Sequence, residues 1–434
     1  MARIMPQSVP EKIGKYEVTK QIGRGNMGVV YLGHDPFADR PVAIKVAVSD
    51  KLKNKAARAR FRKMFLNEAH ITGLLKNPNI IAVYDAGVEG DICYLVMEYI
   101  PGGITLKTYC QRDNLLPIEK VVEIIFKCAK SLDYAHREGV VHRDIKPTNI
   151  LVTEEQDVKI SDFSVAHIAT SDLSNTMPMG FVGSPRYMSP EHVQEDYITN
   201  QSDLFSLGIV MYELLTGQHP FAAETFSQLI HRIINEDPIP MKVHRADIPD
   251  VLEQIVSHAL EKNPEKRYKM GLNLAADLSL VFDQLEYPTV EIPEPEKINI
   301  IRQLDFFQQF PESEIREIVK ASSWHEHEPG DKIIKAGEIE DSFYIITSGE
   351  VEVRKGRKCI STLKGGDCFG EMAYITKSKR TATIIAKSYV TLMKINATLI
   401  EQASIDCQLR FSKVFLRTLV ERLSETTEMV GRQA

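Results

Sequence analysis

The chain has 434 residues with 53 Lys and Arg against 59 Asp and Glu, a net charge of −6, and is 43% hydrophobic and 26% charged. At about 150 residues per domain that length predicts two or three domains. The composition is that of a folded globular protein, and the acidic balance argues against a nucleic-acid binder relying on bulk positive charge. The most apolar stretch, residues 204–215, is interrupted by Ser206, Gly208 and Glu213 and is too short and too polar to span a bilayer. Residues 1–12 lack the apolar core of a signal peptide. Cys93, Cys110, Cys128, Cys359, Cys368 and Cys407 show no close pairing of the kind found in zinc knuckles or disulfide frameworks. These features predict a soluble, reduced, cytoplasmic protein with no membrane span.

In chain order, short β-type runs at residues 16–21, 29–32, 42–48 and 94–99 give way to helical patterns from about Val121 onward. A strand block followed by a helix block is the layout of an α+β domain. Residues 284–298 follow, with Pro288, Pro293, Pro295 and several glutamates, a composition that predicts a semi-stiff acidic linker. Residues 333–395 then hold β-rich segments punctuated by Gly337, Gly349, Gly356, Gly365 and Gly366, which predicts a small β-barrel or jelly roll. An amphipathic stretch with Leu409, Phe411, Val414, Phe415, Thr418, Leu419 and Leu423 near helical spacing closes the chain. The predicted organisation is a domain over 15–283, the linker, and a second domain over 299–434.

Gly23-Arg24-Gly25-Asn26-Met27-Gly28 has the form G-x-G-x-x-G, which taken alone is shared by dinucleotide sites and ordinary turns. Its context separates them: a strand, the Asp35-Pro36 turn and a second strand containing Val42-Ala43-Ile44-Lys45 follow, where a dinucleotide loop would open a helix. Lys45 lies inside an apolar strand, and an ammonium there needs an anion. Glu68 is one candidate, because Phe61, Met64, Phe65, Ile71 and Leu75 recur at helical spacing with Glu68 on their stripe. The basic run through Lys51, Lys53, Lys55, Arg58, Arg60, Arg62 and Lys63 reads as a solvated helical face.

The most specific string is His142-Arg143-Asp144-Ile145-Lys146-Pro147-Thr148-Asn149, followed by the strand-like Ile150-Leu151-Val152 and then Asp162-Phe163. With the glycine-rich loop and the strand lysine, this region resembles bacterial, eukaryotic-like serine/threonine protein kinases. The resemblance implies the bilobal kinase fold and transfer of the ATP γ-phosphate to protein Ser or Thr hydroxyls. It makes Asp144 the base that positions the substrate hydroxyl, Asn149 and Asp162 the Mg²⁺ ligands, and Lys146 a contact to the transferred phosphate. It also pairs Lys45 with Glu68, and carries nucleotide contacts onto Ile22, Gly23, Gly25, Gly28, Val30, Ala43, Lys45, Met97, Glu98, Ile100 and Leu151. One position departs from the family: Ser164 stands where kinases have Gly after Asp162-Phe163, and Ser tolerates positive φ poorly.

The segment from Asp162 to Glu191 corresponds to the activation loop, and Gly183-Ser184-Pro185-Arg186-Tyr187-Met188-Ser189-Pro190-Glu191 is a variant of its closing motif. The resemblance directs Ser184 at the Asp144 and Lys146 pair, pairs Glu191 with Arg267 and has Asp203 brace the catalytic-loop backbone. Arg143 beside Asp144 resembles kinases switched on by loop phosphorylation, and Thr176, near Thr170, Ser171 and Ser174, is the candidate acceptor.

In the second half, Gly366-Asp367-Cys368-Phe369-Gly370-Glu371-Met372-Ala373-Tyr374 followed by Lys379-Arg380-Thr381-Ala382-Thr383 resembles the phosphate-binding cassette of cyclic-nucleotide-binding domains. A helix amino terminus near Gly370 and the Arg380 guanidinium would neutralise a cyclic phosphate, and Glu371 would accept the ribose 2′-hydroxyl. Gly370, Glu371, Met372, Ala373, Arg380, Thr381 and Ala382 are the candidate ligand residues, with cAMP or cGMP as regulatory ligand; Thr381 discriminates weakly between the two. Three readings follow: a cyclic-nucleotide-responsive protein kinase, a kinase whose second domain only docks partners, and a catalytically silent kinase-like scaffold. The retained Lys45, Glu68, Asp144, Asn149 and Asp162 favour a working kinase, and Glu371 with Arg380 favours a sensor. Neither the protein substrate, the sign of the ligand effect, nor a homodimer through the last helix is fixed by these residues.

Overall fold

The computed structural model describes residues 9–25, 28–48, 55–90, 92–154, 156–163, 185–286, 292–337, 342–372 and 380–431. The chain forms two compact units, Met1–Leu278 and Ser279–Ala434. No helix among the described residues is long and apolar enough to cross a membrane.

The first unit opens with β1 (Lys12–Ile13), β2 (Tyr16–Gly25), β3 (Gly28–Asp35), β4 (Arg40–Val48), helix α1 (Lys55–Gly73), β5 (Val83–Glu89) and β6 (Ile92–Glu98). The strands make an antiparallel sheet in the order β1-β2-β3-β4-β6-β5. Strand alternation divides its residues between two faces. Val29, Tyr31, Val42, Ile44, Val46 and Val96 join Ile13 and Tyr16 in one buried cluster. The alternate positions put Ala43 and Met97 in another with Ile81 and Ile100, against which Val30 and Leu151 pack. Lys45 shares the parity of Ala43. On α1, Phe61, Phe65 and Ala69, spaced four apart, pack on Cys93 and Leu95 of β6. The predicted stripe was too long: Ile71 is 38% exposed, and Leu75 is buried but lies past the helix end.

Helices then dominate: α2 (Ile118–Arg137), the hairpin β7 (Ile150–Val152) and β8 (Val158–Ile160), α3 (Pro190–Val193), α4 (Asn200–Thr216), α5 (Phe226–Asn235), α6 (Asp250–Ala259) and α7 (Gly271–Glu286). The apolar stretch 204–215 is the body of α4. Every residue of α4 from Ser202 to Thr216 is buried, as a helix apolar on all sides must be. Thr199 and Ser202 close its amino end with a capping box, and Gly217 ends it in the left-handed region at φ 69°. At Gly208 a Cβ would lie 2.9 Å from that of Ala259, so the missing side chain lets α4 and α6 approach.

The second unit contains α8 (Glu294–Gln303), α9 (Glu312–Lys320), β9 (Ser322–His327), β10 (Lys332–Ile334), β11 (Ser342–Ser348), β12 (Glu350–Lys355), β13 (Lys358–Lys364), β14 (Cys368–Phe369), β15 (Thr383–Ala386), β16 (Val390–Asn396), α10 (Ala397–Ile400) and α11 (Ile405–Gly431). Two antiparallel sheets, β10-β15-β12-β13 and β14-β11-β16-β9, give the expected small β-sandwich of jelly-roll type. Tyr344 and Ile346 of β11 join Val390 and Leu392 of β16 in one core, with Val351 and Ile384 of the other sheet. Phe343, Ile345, Met393 and Ile395 face a second core built with the helices. The fold class is therefore α+β throughout.

Two further expectations are corrected. The predicted linker is partly helix, since α8 begins at Glu294 with Pro293 as its cap, Pro295 in its first turn, and Glu294 and Glu296 at its positive end. Proline is tolerated there because a first-turn N–H has no intrahelical partner. Of the closing stretch, Phe411, Val414 and Phe415 are buried, whereas Leu409 and Leu423 are 54% and 68% exposed.

Candidate functional site

The loop carrying His142 to Asn149 is held from below. Both oxygens of the buried Asp203, on α4, accept backbone N–H groups: Oδ2 from His142 and Oδ1 from Arg143, each at 2.7 Å. Asp203 Oδ2 also lies 2.8 Å from His136 Nε2. Burial opposes the Asp203 charge, but His136 and His142 outweigh it and hold the carboxyl below the usual range. This bracing keeps Arg143 at φ 68°, a left-handed conformation costly outside glycine. His142, fully buried, places Nε2 2.9 Å from the Ser161 carbonyl and its ring 4.5 Å from that of Phe163. The loop and the Asp162-Phe163 segment are thereby locked together.

Above this brace, Lys146 Nζ lies 2.5 Å from Asp144 Oδ2. Asn149 Nδ2 donates to the Asp144 carbonyl at 2.8 Å and to Oδ2 at 3.0 Å. One Asp144 oxygen is thus committed. Its other, Oδ1, takes no protein hydrogen bond among the described residues, leaving it to accept from a hydroxyl.

Lys45 Nζ pairs with Asp162 Oδ1 at 2.7 Å. Burial works against the Asp162 charge, yet Lys45 first, then His142 and Lys146, hold its pKa below the ordinary value. The Glu68 side chain, expected to hold Lys45, lies outside the described residues, although Glu68 itself sits on α1. Asn149 Oδ1 and Asp162 Oδ2 have no protein partner among the described residues. Two such oxygens, one neutral and one anionic, suit a hard cation such as Mg²⁺.

The candidate nucleotide slot is largely assembled. Val30, Ala43, Met97, Ile100 and Leu151 form one apolar cluster, and Val30 is cross-strand partner to Lys45. Glu98 ends β6, its carboxylate taking Lys159 Nζ at 3.0 Å and the Ala82 amide at 3.2 Å. Ile22 is not part of the cluster and is 41% exposed. At the loop tip Gly25 pairs with Gly28. Gly28 has φ 141°, and a Cβ there would lie 1.9 Å from the Val46 carbonyl oxygen, so only glycine fits.

Ser164, Thr170, Ser171, Ser174, Thr176, Gly183 and Ser184 lie outside the described residues. Beyond them Tyr187 donates its hydroxyl to Glu213 at 2.6 Å. Glu191 meets Arg267 through two bonds, at 2.8 and 3.1 Å. The expected Glu191–Arg267 pair is present, with the arginine side chain fully buried.

In the second unit, Gly370 has φ 86° and begins the turn that carries Glu371 and Met372. Arg380 Nη1 donates to the Gly370 carbonyl at 2.7 Å and Nη2 to that of Ser342 at 2.5 Å. A Cβ on Gly370 would stand 2.7 Å from Arg380 Nη1. Arg380 and Glu371 are both buried, at 4% and 2% exposure; Met372 and Thr381 are exposed, and Ala382 is half-buried. Ala373 lies outside the described residues. Sequence reasoning missed Arg422, whose Nη1 meets Glu371 Oε1 at 2.7 Å and whose Nη2 donates to the Cys368 carbonyl. Its signal was in the pattern: Arg422 follows Phe411 and Phe415 at helical spacing, and a cation on an apolar face needs an anion. Burial pushes the Glu371 carboxyl up, Arg422 and Arg380 only partly offsetting it.

A protein kinase domain model matches residues 16–276, and a cyclic nucleotide-binding domain model matches residues 324–404. The serine/threonine-protein kinase PknB of Mycobacterium leprae is 35% identical over 273 residues, which is 62% of this chain and 43% of the relative. The serine/threonine-protein kinase PrkC of Bacillus subtilis is 36% identical over 270 residues, 62% of this chain and 41% of that protein. The chain therefore spans less than half the length of these curated relatives.

Proposed function

The chain belongs to the protein kinase domain family, and from that membership we propose that it transfers the ATP γ-phosphate to Ser or Thr hydroxyls of proteins, under control of a cyclic nucleotide bound by the second unit. The observation that carries the kinase reading is Asp144, with Oδ2 fixed by Lys146 and Asn149 while Oδ1 is left to receive a hydroxyl. In this reading Oδ1 orients the substrate O–H toward the phosphorus, takes its proton as the new P–O bond forms, and ADP leaves as the old one breaks. Lys146, already beside Asp144, balances charge on the transferred group. Lys45 reaches the ATP phosphates from its place on Asp162, and Ala43, Met97 and Leu151 flank the adenine, with the backbone from Glu98 to Ile100 at its edge. Asn149 and Asp162 would hold Mg²⁺, which supplies charge neutralisation on the phosphate oxygens. Glu68 completes the Lys45 environment, and Thr176 is the loop residue phosphorylated on activation.

The regulatory part rests on Glu371 and Arg380, buried side chains of opposite charge flanking the turn at Gly370. A cyclic phosphate would meet that turn and Arg380, and the ribose hydroxyl would meet Glu371, for cAMP or cGMP alike. The short connection between the units raises the effective concentration of one beside the other, so even a weak restraint on the kinase would be populated. Free cysteines, buried except for Cys359, support a reducing, cytoplasmic setting.

The test is phosphorylation of itself and of a basic model protein with ATP and Mg²⁺. Asp144→Asn and Lys45→Met are each expected to lower the rate by roughly 10²- to 10⁴-fold. Undiminished activity in both overturns the catalytic assignment. Arg380→Ala is expected to abolish the response to cAMP or cGMP while leaving ATP-dependent activity intact, and a truncation near residue 283 to be active and indifferent to nucleotide. Equal rates for truncated and full-length protein under all conditions would instead favour the docking-module reading.

A further inference from the structure

Residues 185–187 form a single turn that hangs on α4. The Ser206 hydroxyl donates to the Tyr187 carbonyl at 2.6 Å, and the Tyr187 hydroxyl donates to Glu213 at 2.6 Å. His219, just past the end of α4, donates from Nε2 to the Arg186 carbonyl at 2.7 Å and accepts the Phe221 amide at Nδ1. Burial pushes the His219 pKa down to about 3, with the Arg186 and Lys107 charges acting the same way, so the ring stays neutral and keeps both bonds. Asp203, which braces His142 and Arg143, precedes Ser206 by three residues on α4, about 4.5 Å of helix rise. The turn and the loop carrying Asp144 are therefore fixed to adjacent turns of one helix. The clamp grips backbone and Tyr187 but leaves one side chain out. Arg186 is exposed, and its guanidinium makes no hydrogen bond or ion pair among the described residues. Lys107, whose charge bears on the same imidazole, has a side chain 47% exposed. Glu213, 4.0 Å from Lys107 Nζ, is buried beneath the Tyr187 hydroxyl. Here the cations face solvent and the acid does not.

We propose that Arg186 is a specificity-determining residue, pairing with an Asp or Glu side chain that lies close to the acceptor hydroxyl in the substrate protein. This deepens the kinase reading above and rests on it. A substrate whose hydroxyl reaches Asp144 Oδ1 runs extended past the turn held by α4, each residue advancing about 3.3 Å, so a neighbour within about three residues of the acceptor meets the guanidinium. The Arg186 backbone is already fixed, so pairing orders only its side chain, and a guanidinium fork matches a carboxylate in geometry as well as charge. The same cation repels Lys or Arg at that place, so discrimination has an attractive and a repulsive side. Buried Glu213, held by Tyr187, is not placed to cancel it.

The test uses full-length protein, ATP and Mg²⁺ with a set of peptides that carry a central Ser or Thr and Glu, Ala or Lys at one flanking position at a time. At one position within three of the acceptor, wild type is expected to favour Glu over Lys about tenfold in kcat/KM, since pairing and repulsion at an exposed site each contribute roughly threefold. Arg186→Ala is expected to flatten that preference and Arg186→Glu to invert it, the change falling on the peptide KM rather than on kcat. Raised salt is expected to shrink the wild-type preference. The same flank profile in all three proteins overturns the proposal. An equal loss on every peptide in Arg186→Ala also overturns it, and assigns Arg186 to holding the chain's own loop instead. If the protein phosphorylates itself but none of the peptides, nothing beside the acceptor is read and the proposal falls. If it transfers no phosphate at all, the kinase reading fails, and this assignment with it.

Discussion

Replacing Arg267 by Met removes a cation from a site with no access to water. Its side chain is 0% exposed and donates to Glu191 Oε1 at 2.8 Å and Oε2 at 3.1 Å, to the Gln201 carbonyl at 2.8 Å and to the Glu261 carbonyl at 3.0 Å. After substitution Glu191 keeps its 2.7 Å bond from Ser202 but loses the charge that offsets its burial. Removing one partner of a buried pair costs about 3–5 kcal/mol, mostly through the charge left behind. The double variant Arg267→Met, Glu191→Gln removes that stranded charge, so it should be more stable than the sum of the single changes by about 1–3 kcal/mol. The chain has one tryptophan, and Trp324 lies in the second unit, so its fluorescence follows that unit alone. Urea unfolding of the first unit is therefore read by pulse proteolysis, with Trp324 as an internal control. A loss below about 1 kcal/mol for Arg267→Met, or strict additivity in the double variant, would refute a charge-stranding account.

Three further outcomes are expected. Gly28→Ala forces a Cβ to 1.9 Å from the Val46 carbonyl oxygen, so the loop tip must open; steady-state kinetics should show a raised KM for ATP, with unchanged substrate-protein affinity. Asp162, Asp203 and Glu191 all titrate below their ordinary values in the fold, so their stabilisation is whole above the unfolded carboxylate range near pH 4 and drains away as pH falls through the lowered values. Urea midpoints should accordingly fall on acidification below about pH 4, and the Glu191→Gln, Arg267→Met variant should show a shallower fall. Ser164→Gly restores the residue kinases carry at that position and should change the basal rate or its lag while the Mg²⁺ dependence stays put, because no metal ligand is altered; unchanged progress curves would mark the substitution as neutral.

The candidate site was legible as an arrangement because its parts are short strings whose spacing is fixed locally. Asp144, Lys146 and Asn149 sit within one loop, so their meeting follows from the chain itself. Asp203 bracing that loop, and Glu191 meeting Arg267, came through the family resemblance, and the geometry agrees. Lys45 needed an anion, and the sequence offered Glu68; the described contact is with Asp162, which no spacing singles out. Proline and glutamate suggested a semi-stiff linker over residues 284–298, and the helix starting at Glu294 shows why composition fails there: the same residues are good first-turn residues. Leu409 and Leu423 were placed on the packed face because hydrophobicity gives a stripe but not its width. Arg422 went unseen because its partner lies across the fold, although its place on the Phe411 face was readable.

One strand of the second unit serves as a wall common to two interiors. In β11, odd positions Phe343 and Ile345 look toward the helices, where Phe343 meets Phe411 and Phe415 with ring centroids at 5.6 and 4.9 Å. Even positions Tyr344 and Ile346 look into the sandwich, where Tyr344 stacks on Phe369, next to Gly370. Parity therefore insulates the two jobs: substitutions at odd sites retune the seat of the last helix, and those at even sites reshape the floor beneath the candidate ligand turn. A single inserted residue would exchange the two sets at once. Such a strand can drift freely in sequence yet has almost no freedom in length, and variation in the helix seat can accumulate without disturbing the chamber on its other side.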